Sequence, residues 1–467
     1  MNDTDWQQLT DHLAGAVARV KARYAEVRLE RTDTTNVRFS GQSLESAGRS
    51  FDAGGSVRVL LDRGGWGVAS FNGFGRIEDQ LAAARDGAAV LACDADATAL
   101  ELAPVSPAVD RVASQIEDDF REVPLGEKVE RMRSCRDRLM AFDTRVVDCD
   151  TRYVDRYVDK LLVTSEGAAV RQSAGHCMVS LMATARSGDN IQRGFETFGD
   201  GRSGFGLARS AADQVDTIAS RAVNLLAAPR VRAGRYPVVL DPKLAGVFIH
   251  EAFGHLSEAD HICENAQARK MMVLGRRFAP EDFHVYDDAT MDGLWGSHRY
   301  DDEGVPTAPT PLIAGGRLTG RLHSRHTAAV MGERPTGNAY AINYQYAPIV
   351  RMSNTYIAPG AMSFDELIRP IRLGVYACGA FGGQTMLENF SFSAAYGWMI
   401  RDGRIAEPVR DIVLTGNLFE TLGAISGIGD DLTMFSGGCG KGEQSPLPVA
   451  LGSPHLRIDN VLIGGEG

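Results

Sequence analysis

An alternation of apolar and polar residues with a period of two constrains the fold of this chain more than any other feature. The pattern extends from about residue 145 to 187, in VVDCDTRYVDRYVD, KLLVTS and AAVRQSAGHCMVSLMATA, and strand-like runs between glycine-rich turns return after about residue 310. Period-two alternation is typical of strands with one buried face, and the glycines suit turns between antiparallel neighbours. Paired strands are therefore expected in both halves of the chain.

Helices are predicted around the first set of strands. Apolar residues recur at helical spacing at residues 4–24, and three further segments have helical patterns, at residues 77–93, 126–142 and 207–227. Short strands are predicted between the first two of these helices, at residues 26–31, 36–40, 55–61 and 67–71. Helices that pack on a largely antiparallel sheet make an α+β arrangement, which is the fold class that we expect.

A short segment rich in Pro, Gly and Arg separates this part from the rest, at residues 227–235 (AAPRVRAGR). The chain has 467 residues, and single cores usually stop growing at about 250–300 residues. We therefore predict two domains, an N-terminal α+β domain at residues 1–229 and a strand-rich C-terminal domain at residues 230–467. The second domain carries one prominent helix at about residues 243–260.

Charge and composition exclude several classes of function. The net charge is −11 and no dense Lys/Arg run is present, so nucleic acid is not an expected partner. The first residues, MNDTDWQQ, are polar and acidic, and no run of about 18 apolar residues suggests a membrane span. The seven cysteines are scattered and lack CxxC pairs, unlike a secreted disulfide framework. We expect a soluble, cytoplasmic protein that does not bind membranes.

The motif that indicates chemistry lies on the helix predicted at residues 243–260. His250, Glu251 and His255 occur in HEAFGH, and the apolar residues before them give the helix one buried face. Neutral imidazole is a common zinc ligand, and a carboxylate beside a ligand histidine can take a proton from metal-bound water. The motif therefore predicts that the two histidines bind zinc (Zn2+) and that Glu251 is the general base. A chance cluster of polar residues is the alternative.

The spacing of the two histidines is HExxxH, which a regular α-helix does not bring to one face. At about 100° per residue, positions five apart diverge by about 140°. One extra residue in the turn, as in a single π-bulge, returns both imidazoles to the same side. We predict such a widened turn between His250 and His255, centred near Gly254, where distortion of the backbone is least costly.

A third metal ligand is expected from elsewhere in the chain, because catalytic zinc usually has three protein ligands and one open position. Cys439 is the best candidate, since it lies among glycines in FSGGCGKGEQ and the nearby Lys441 favours its thiolate. From the residues alone, a buried structural cysteine is an equally good interpretation.

Other polar groups carry weaker expectations. The run HRYDDEG at residues 298–304 could contact substrate or order the metal site, but acidic runs with glycine are usually solvated turns. His323 and His326 are predicted to lie at the surface and outside the metal site, because no acid or cysteine is near them in the sequence. Several donors are candidates for hydrogen bonds to a peptide or a developing oxyanion, and the sequence does not select among them: Arg351, Asn354 and the TGN turn at residues 336–338.

Beyond these residues, several blocks resemble the TldD/PmbA family of zinc metallopeptidases, specifically its catalytic TldD-like branch. The match spans essentially the whole chain, and its most specific blocks lie in the C-terminal half; they include RYPVVLDPKLAGVFIHEAFGHLSEAD, GSHRYDDEGVPTAPTPLIAGGRLTG and SGGCGKGEQSPLPVALGSP. The resemblance implies zinc held by His250, His255 and Cys439, with Glu251 as the base. It also implies cleavage of unstructured peptides inside a cleft that a dimer encloses.

The resemblance leaves the assembly and the substrate open. A TldD-like chain is expected to form either a homodimer or a heterodimer with a PmbA/TldE-like subunit of the same fold that lacks HExxxH. Two rival functions remain. The scaffold could process a peptide-like small molecule in a biosynthetic pathway, or the chain could be a non-catalytic partner subunit, although the intact HExxxH motif and Cys439 argue against the second.

Overall fold

The computed structural model describes residues 3–94, 99–386 and 388–464. Within these ranges more residues lie in strands than in helices, and the elements form the α+β fold that the sequence predicts. No helix in this part of the chain is long and apolar enough to cross a membrane.

The N-terminal part consists of a sheet flanked by helices. Its strands are β1 (Tyr24–Ser40), β2 (Ser43–Leu60), β3 (Trp66–Asn72), β4 (Val109–Val112), β5 (Val146–Thr164), β6 (Ala169–Ser187) and β7 (Asn190–Asp200). Its helices are α1 (Asp3–Arg19), α2 (Ile77–Ala92), α3 (Leu125–Ala141), α4 (Gly206–Ala211) and α5 (Val215–Leu225). A 3₁₀ turn (Ala212–Gln214) separates α4 from α5, so the single helix predicted at residues 207–227 is interrupted.

These strands form one sheet in the order β3-β2-β1-β5-β6-β4, with β7 paired to β6. The neighbours are antiparallel apart from β4 and β6, which are parallel. The sequence predicted two strands at residues 26–31 and 36–40, but β1 is continuous, because the polar residues between them pair with both β2 and β5. Helices α3 and α5 pack on the sheet through buried apolar residues such as Met132, Leu139 and Ile218.

The C-terminal part contains shorter strands and short helices. Its strands are β8 (Gly234–Leu240), β9 (Val285–Asp287), β10 (Thr310–Ala314), β11 (Arg317–Leu318), β12 (Ala339–Tyr340), β13 (Ile349–Val350), β14 (Asn354–Ile357), β15 (Leu373–Cys378), β16 (Gly382–Met386), β17 (Asn389–Ser393), β18 (Tyr396–Arg401), β19 (Arg404–Val409), β20 (Val413–Asn417), β21 (Ile425–Ile428), β22 (Thr433–Lys441), β23 (Gln444–Ser453) and β24 (Leu456–Gly464). Its helices are α6 (Pro242–Ile249), α7 (Ala259–Glu264), α8 (Ala266–Met271), α9 (Arg325–Met331), α10 (Phe364–Ile368) and α11 (Leu418–Gly423).

Two larger sheets organise most of these strands. One has the order β11-β10-β9-β14-β23-β22, and the other runs β16-β17-β20-β24-β8-β15-β18-β19, with β21 paired to β24. Helix α6 packs against both sheets, since Leu244 and Phe248 are buried in one core with Val449 of β23 and Ile458 of β24. The helix that carries the HExxxH motif is thus enclosed by strands.

The division proposed at residues 229 and 230 follows the sheets. Among the described strands, none after β7 joins the N-terminal sheet and none before β8 joins the later ones. We keep this two-domain division as a proposal. The two parts meet through buried charges, because Lys160 Nζ donates to Asp302 at 3.0 Å and Arg58 Nη2 lies 3.3 Å from Glu303 Oε1.

The acidic run at residues 301–303 is therefore not the solvated turn that its composition indicated. Asp301, Asp302 and Glu303 are all buried, because cations of the N-terminal sheet and backbone N–H groups compensate their charges. We call this group the junction cluster, defined as Arg28, Arg58, Lys160, Asp301, Asp302 and Glu303.

Candidate metal centre

The helix that carries the motif is fixed at its beginning. Asp241 is the N-cap of α6, and its carboxylate accepts hydrogen bonds from the backbone N–H of Leu244 at 2.8 Å and of Gly379 at 2.9 Å. Pro242 occupies the first turn, where its missing N–H costs nothing. These contacts join α6 to the end of β15, so the turn that follows Ile249 begins from a rigidly held helix.

A π-helical turn over His250–Gly254 follows α6, and a 3₁₀ turn over His255–Ser257 comes next. The backbone N–H of His255 donates to the carbonyl of His250, five residues back, so the widened turn predicted from the HExxxH spacing is confirmed. The two imidazole rings lie 5.4 Å apart between centroids. A Cβ atom at Gly254 would lie 2.1 Å from Met352 Sδ, so the turn leaves no room for a side chain there.

Three predicted ligands come together at this turn. One nitrogen each from His250 and His255 and the Sγ of Cys439 lie within 4.8 Å of one another, and Cys439 Sγ is 3.3 Å from His255 Nε2. Zinc bonds of about 2.0–2.3 Å at tetrahedral angles place ligand atoms about 3.3–3.7 Å apart. The Nδ1 of His250 is buried and has no hydrogen-bond partner among the described residues. This donor set fits a zinc ion.

Cys439 reaches the histidines from β22, an edge strand of its sheet, where it pairs with Leu447 of β23. Burial raises the pKa of its thiol, but the contacts with His250 and His255 outweigh burial and lower that pKa to about 5. Burial lowers the pKa of His255, whereas its contacts with Cys439 and Glu258 raise it to about 10. The surroundings therefore favour the thiolate, which is the form of cysteine that binds metals.

A buried carboxylate orients His255 from the side opposite Cys439. Glu258 Oε2 lies 3.0 Å from His255 Nδ1 and 3.1 Å from Lys441 Nζ, and Lys441 also donates to Asp260 at 2.7 Å. Burial raises the pKa of Glu258, but His255 and Lys441 bring it below its ordinary value. Sequence reasoning assigned Glu258 no role. Its position three residues after a ligand histidine, on the same side of a helical turn, was the available signal.

Glu251 lies next to the proposed ligand atoms but makes no hydrogen bond with them. Its Oε2 lies 3.9 Å from His255 Nε2, and its side chain is 34% exposed. Among the described residues no group donates a hydrogen bond to this carboxylate. Glu251 is therefore available to a molecule that enters the site.

The candidate oxyanion donors have protein partners. Asn354 is buried and donates to the carbonyl of Asp288 at 2.7 Å, and within the TGN turn Asn338 donates to Asp287 at 2.9 Å. Arg351 is also buried and donates to the carbonyl of Gln444 at 3.2 Å, while its Nε and Nη2 have no partner within the described ranges. None of these groups is selected as an oxyanion donor.

The expectation that His323 lies at the surface is wrong. Its side chain is buried, with Nδ1 at 3.1 Å from Thr327 Oγ1 and Nε2 at 3.0 Å from Glu333 Oε2. Glu333 comes ten residues after His323 in the sequence, and helix α9 between them brings the two side chains together. His326 is half-buried and contacts the carbonyl of Glu101 at 3.1 Å. Neither histidine belongs to the group of close ligand atoms.

A cavity of about 560 Å³ lies between the N-terminal sheet and the C-terminal part, beside the metal centre. Its wall includes Met352, which contacts the turn at Gly254, and Leu447, which pairs with Cys439. Residues of β5 and β6 line the opposite side. None of the three proposed ligands, nor Glu251, lines this cavity, which approaches the metal centre only through Met352 and Leu447.

Comparison with known proteins shows full-length relatives. A metalloprotease of Synechocystis is 42% identical over 96% of both chains. A metalloprotease of Methanothermobacter thermautotrophicus is 38% identical over 98% of this chain and 99% of the other. A zinc metalloprotease TldD homolog of Saccharolobus solfataricus is 32% identical over 73% of this chain and 76% of its own length.

Solved structures share the fold at lower identity. TldE from Thermococcus kodakarensis aligns with a TM-score of 0.75 and 19% identity over 98% of this chain and 99% of that one. A Thermotoga maritima protein named as a candidate modulator of a DNA gyrase aligns with a TM-score of 0.80 and 21% identity, over 98% of this chain and all of that one. At these identities the likeness shows the fold alone.

Family models match three consecutive segments of the chain. They are the PmbA/TldA metallopeptidase domain 1 at residues 25–92, the central domain at residues 118–228 and the C-terminal domain at residues 233–465. The last model contains the HExxxH turn and Cys439 together. Since these models and full-length relatives agree, the chain belongs to the PmbA/TldD family of metallopeptidases.

Proposed function

We propose that this chain is a zinc-dependent peptidase that hydrolyses unstructured peptides, with zinc held by His250, His255 and Cys439. The observation that carries the proposal is the convergence of these three ligand atoms at a π-helical turn, within 4.8 Å of one another. Two imidazoles and a thiolate suit zinc and leave a fourth position open. The name of the Saccharolobus relative includes zinc, which also supports this choice of metal.

Glu251 is proposed as the general base. Zinc, when bound, supplies a Lewis acid that polarises the scissile carbonyl and lowers the pKa of a water. The Glu251 carboxylate lies next to the ligand atoms and accepts no hydrogen bond from the described residues, so it is free to take a proton from the attacking water. It then gives that proton to the leaving amine as the C–N bond breaks. The products are a carboxylate and an amine.

Glu258 is proposed as a positioning residue for His255. Its carboxylate accepts from Nδ1 of the imidazole, so Nδ1 keeps its proton and Nε2, which faces Cys439, is the nitrogen that would bind the metal once its own proton has left. Lys441 and burial hold Glu258 in one place. The arrangement fixes the orientation of the ring before a metal binds.

The substrate and the assembly are also proposals. Unstructured peptides are proposed as substrates because the ligands His250 and Cys439 are buried and the cavity of about 560 Å³ nearby is too small to admit a folded domain. A dimer, either of two copies or with a TldE-like subunit of the same fold, is proposed on the family resemblance alone. A cytoplasmic location stays a prediction. The rival function, processing of a peptide-like small molecule in a biosynthetic pathway, uses the same residues and is distinguished by the substrates that are turned over.

The ligand set is tested by metal content in paired cysteine variants. We expect one zinc per chain in the parent, loss of that zinc in Cys439→Ala, and retention in Cys135→Ala, because Cys135 is equally buried but lies in α3 away from the histidines. Peptide hydrolysis should follow the zinc content in the three proteins. A Cys439→Ala variant that keeps its zinc would remove this residue from the site.

The substrate class is tested by competition. The enzyme should cleave a flexible peptide and spare the same sequence when it is buried inside a stable domain, since a folded domain cannot approach the buried ligands His250 and Cys439. Equal cleavage of both would contradict the proposed substrate. Turnover confined to one small peptide-like compound would favour the biosynthetic rival.

A further inference from the structure

The segment that follows β13 lies against the metal centre. The carbonyl of Val350 accepts a hydrogen bond from Lys441 Nζ at 2.9 Å, and the same ammonium lies 3.1 Å from Glu258 Oε2. Two residues later, Met352 packs against the π-helical turn that carries the histidines. Arg351 lies between these two contacts, so its backbone is placed beside the residues that support the metal centre.

Arg351 is a buried cation with unused hydrogen-bond donors. Its side chain is 1% exposed, and Nη1 donates to the carbonyl of Gln444 at 3.2 Å. Nε and Nη2 have no partner among the described residues. These two nitrogens lie along one edge of the planar guanidinium, and their N–H groups form a fork that suits one acceptor. Burial of a charged group without a partner is costly, so an acceptor is expected at this edge.

Glu258 has the complementary unused atom. Its Oε2 contacts His255 Nδ1 and Lys441 Nζ, whereas its Oε1 is buried without a partner among the described residues. Burial raises the pKa of this carboxyl, but its hydrogen bond with His255 and the nearby cations, Arg351 among them, bring it below its ordinary value. The unused donors of Arg351 and the unused acceptor of Glu258 therefore belong to one buried group of charges.

A single water molecule can satisfy all three atoms. It accepts from Nε and Nη2 of Arg351 with its two lone pairs and donates one hydrogen to Oε1 of Glu258. Buried waters typically make about three hydrogen bonds to polar groups that are otherwise unsatisfied, which is the number of unused atoms at this place. A bound cation would be repelled by the guanidinium and a bound anion by the carboxylate, so neutral water is the ligand that both charges favour.

We propose that Arg351 is a positioning residue of the metal centre, which acts on Glu258 through one buried water. The water holds Oε1 of the carboxylate while His255 and Lys441 hold Oε2, so the carboxylate cannot rotate away from the imidazole that it orients. Arg351 itself is assigned no contact with the metal or the substrate. The inference rests on the proposed zinc site, because the orientation of a zinc ligand is its functional consequence.

A crystal structure tests the bridge itself, with or without zinc in the protein. One water should lie about 2.6–3.2 Å from Nε and Nη2 of Arg351 and from Oε1 of Glu258. The same water should be lost in Arg351→Met, which removes both donors. Direct contact between the two side chains, or no water between them, would overturn the proposal.

A double-mutant cycle tests the effect on the metal centre. Arg351→Met should weaken zinc binding on the order of tenfold, as the loss of an outer-shell partner typically does. In a Glu258→Ala background the same substitution should change zinc affinity less than about twofold, because Arg351 acts only through that carboxylate. Competition with a chelating dye measures all four proteins. An equal loss of affinity from Arg351→Met in both backgrounds would overturn the positioning role.

Two further arginine variants separate positioning from stability. Arg351→Lys keeps the buried charge and a donor for the water, so it should recover zinc affinity relative to Arg351→Met. The matched control is Arg325→Met, which removes a buried arginine that donates to Glu166 at 2.7 Å and belongs to α9. It should lower the melting temperature and leave the zinc affinity of the folded protein unchanged.

A spectroscopic measurement completes the test. With cobalt(II) in place of zinc, the visible absorption bands report the geometry of the ligands, and they should shift in Arg351→Met but not in Arg325→Met. Unshifted bands in Arg351→Met together with reduced stability would make Arg351 a structural residue and overturn the proposal. A parent that binds neither metal would contradict the proposed function instead, and the crystal structure would then decide on the bridge.

Discussion

The metal centre and the junction cluster both bury charged side chains in the C-terminal part, but they differ in how completely protein atoms satisfy them. In the junction cluster, Asp301 accepts hydrogen bonds from the backbone N–H groups of Glu303 and Ala339, at 2.9 and 3.0 Å. Asp302 accepts from Lys160 at 3.0 Å and from the backbone of Ala341 at 2.8 Å. Protein groups thus compensate both carboxylates, although Arg28 Nε of the same cluster is buried without a partner among the described residues.

At the metal centre, in contrast, some polar groups have no hydrogen-bond partner. The Nδ1 of His250 has none among the described residues, and Glu251 accepts no hydrogen bond there. Cys439 and His255 face each other at 3.3 Å, as two ligands of one ion would. Buried polar groups are normally satisfied, so an unpaired ring nitrogen beside two facing ligand residues indicates a place for a ligand, whereas carboxylates compensated by protein cations and N–H groups indicate structure. Each prediction below changes one side of this comparison.

The largest effect is expected from Glu251→Gln. The amide keeps the shape of the side chain but cannot act as a base, so peptide turnover should fall by about 10²–10⁴. Zinc content and melting temperature should match the parent, because the carboxylate has no protein partner to lose. The matched control is Glu264→Gln, an exposed glutamate in α7. Loss of zinc in Glu251→Gln would make Glu251 a ligand and remove it as the base.

Asp302→Asn should give the opposite outcome. It removes one charge from the junction cluster and leaves Lys160 and Arg28 poorly compensated between the two parts of the chain. Breaking a buried pair costs about 3–5 kcal/mol, which urea unfolding should detect as a lower midpoint. Folded protein should still contain one zinc per chain. The control Glu407→Gln breaks an exposed pair with Arg401 and should leave the midpoint unchanged. An unchanged midpoint in Asp302→Asn would contradict the structural role of the cluster.

Glu258 belongs to the metal centre, and its two carboxylate oxygens differ: Oε2 contacts His255 and Lys441, whereas Oε1 is buried without a partner among the described residues. Glu258→Gln therefore tests whether this carboxylate serves the metal or the fold. Removing a carboxylate that orients a ligand histidine typically weakens metal binding about 10–100-fold. We expect competition with a chelating dye to show this loss of zinc affinity, with turnover recovered when zinc is in excess. Unchanged zinc affinity together with reduced stability would place Glu258 with the junction cluster instead.

Regular local patterns were predictable from the sequence. The alternation at residues 145–187 became β5 and β6, and the helical pattern at residues 77–93 became α2. The HExxxH spacing predicted the widened turn, because the angle per residue in a helix is fixed and two ligands must reach one ion. These features depend on neighbours that are close in the sequence.

Features that depend on distant residues were missed. The burial of residues 301–303 requires cations of β2 and β5, and Glu303 lies 245 residues after its partner Arg58. His323 is buried because the chain turns back after α9 and places Glu333 within hydrogen-bond distance of it. The role of Glu258 depends on Lys441, which comes from β22. Composition gives the charge of such segments, but it does not show which charges from elsewhere will meet them.

The smallest effect on zinc binding is expected from substitutions of Gly254, which change the packing of the metal centre and not its charges. Gly254→Ala places a Cβ 2.1 Å from Met352 Sδ, so either the methionine or the π-helical turn must move. Crowding in a packed core costs about 1–3 kcal/mol. We expect zinc affinity to fall more than stability, because the turn holds both histidines while α6 stays capped by Asp241. Gly254→Val should lose more zinc affinity than Gly254→Ala.

The double variant Gly254→Ala, Met352→Ala identifies the cause. Met352→Ala removes the sulfur that the new Cβ meets, so zinc affinity should return towards that of Met352→Ala alone if crowding is responsible. Zinc titration of the parent, both single variants and the double variant measures this coupling directly. Without recovery, the crowding account fails, and the π-helical turn itself must require glycine. The widened turn would then depend on backbone freedom within the motif and not on its packing against Met352.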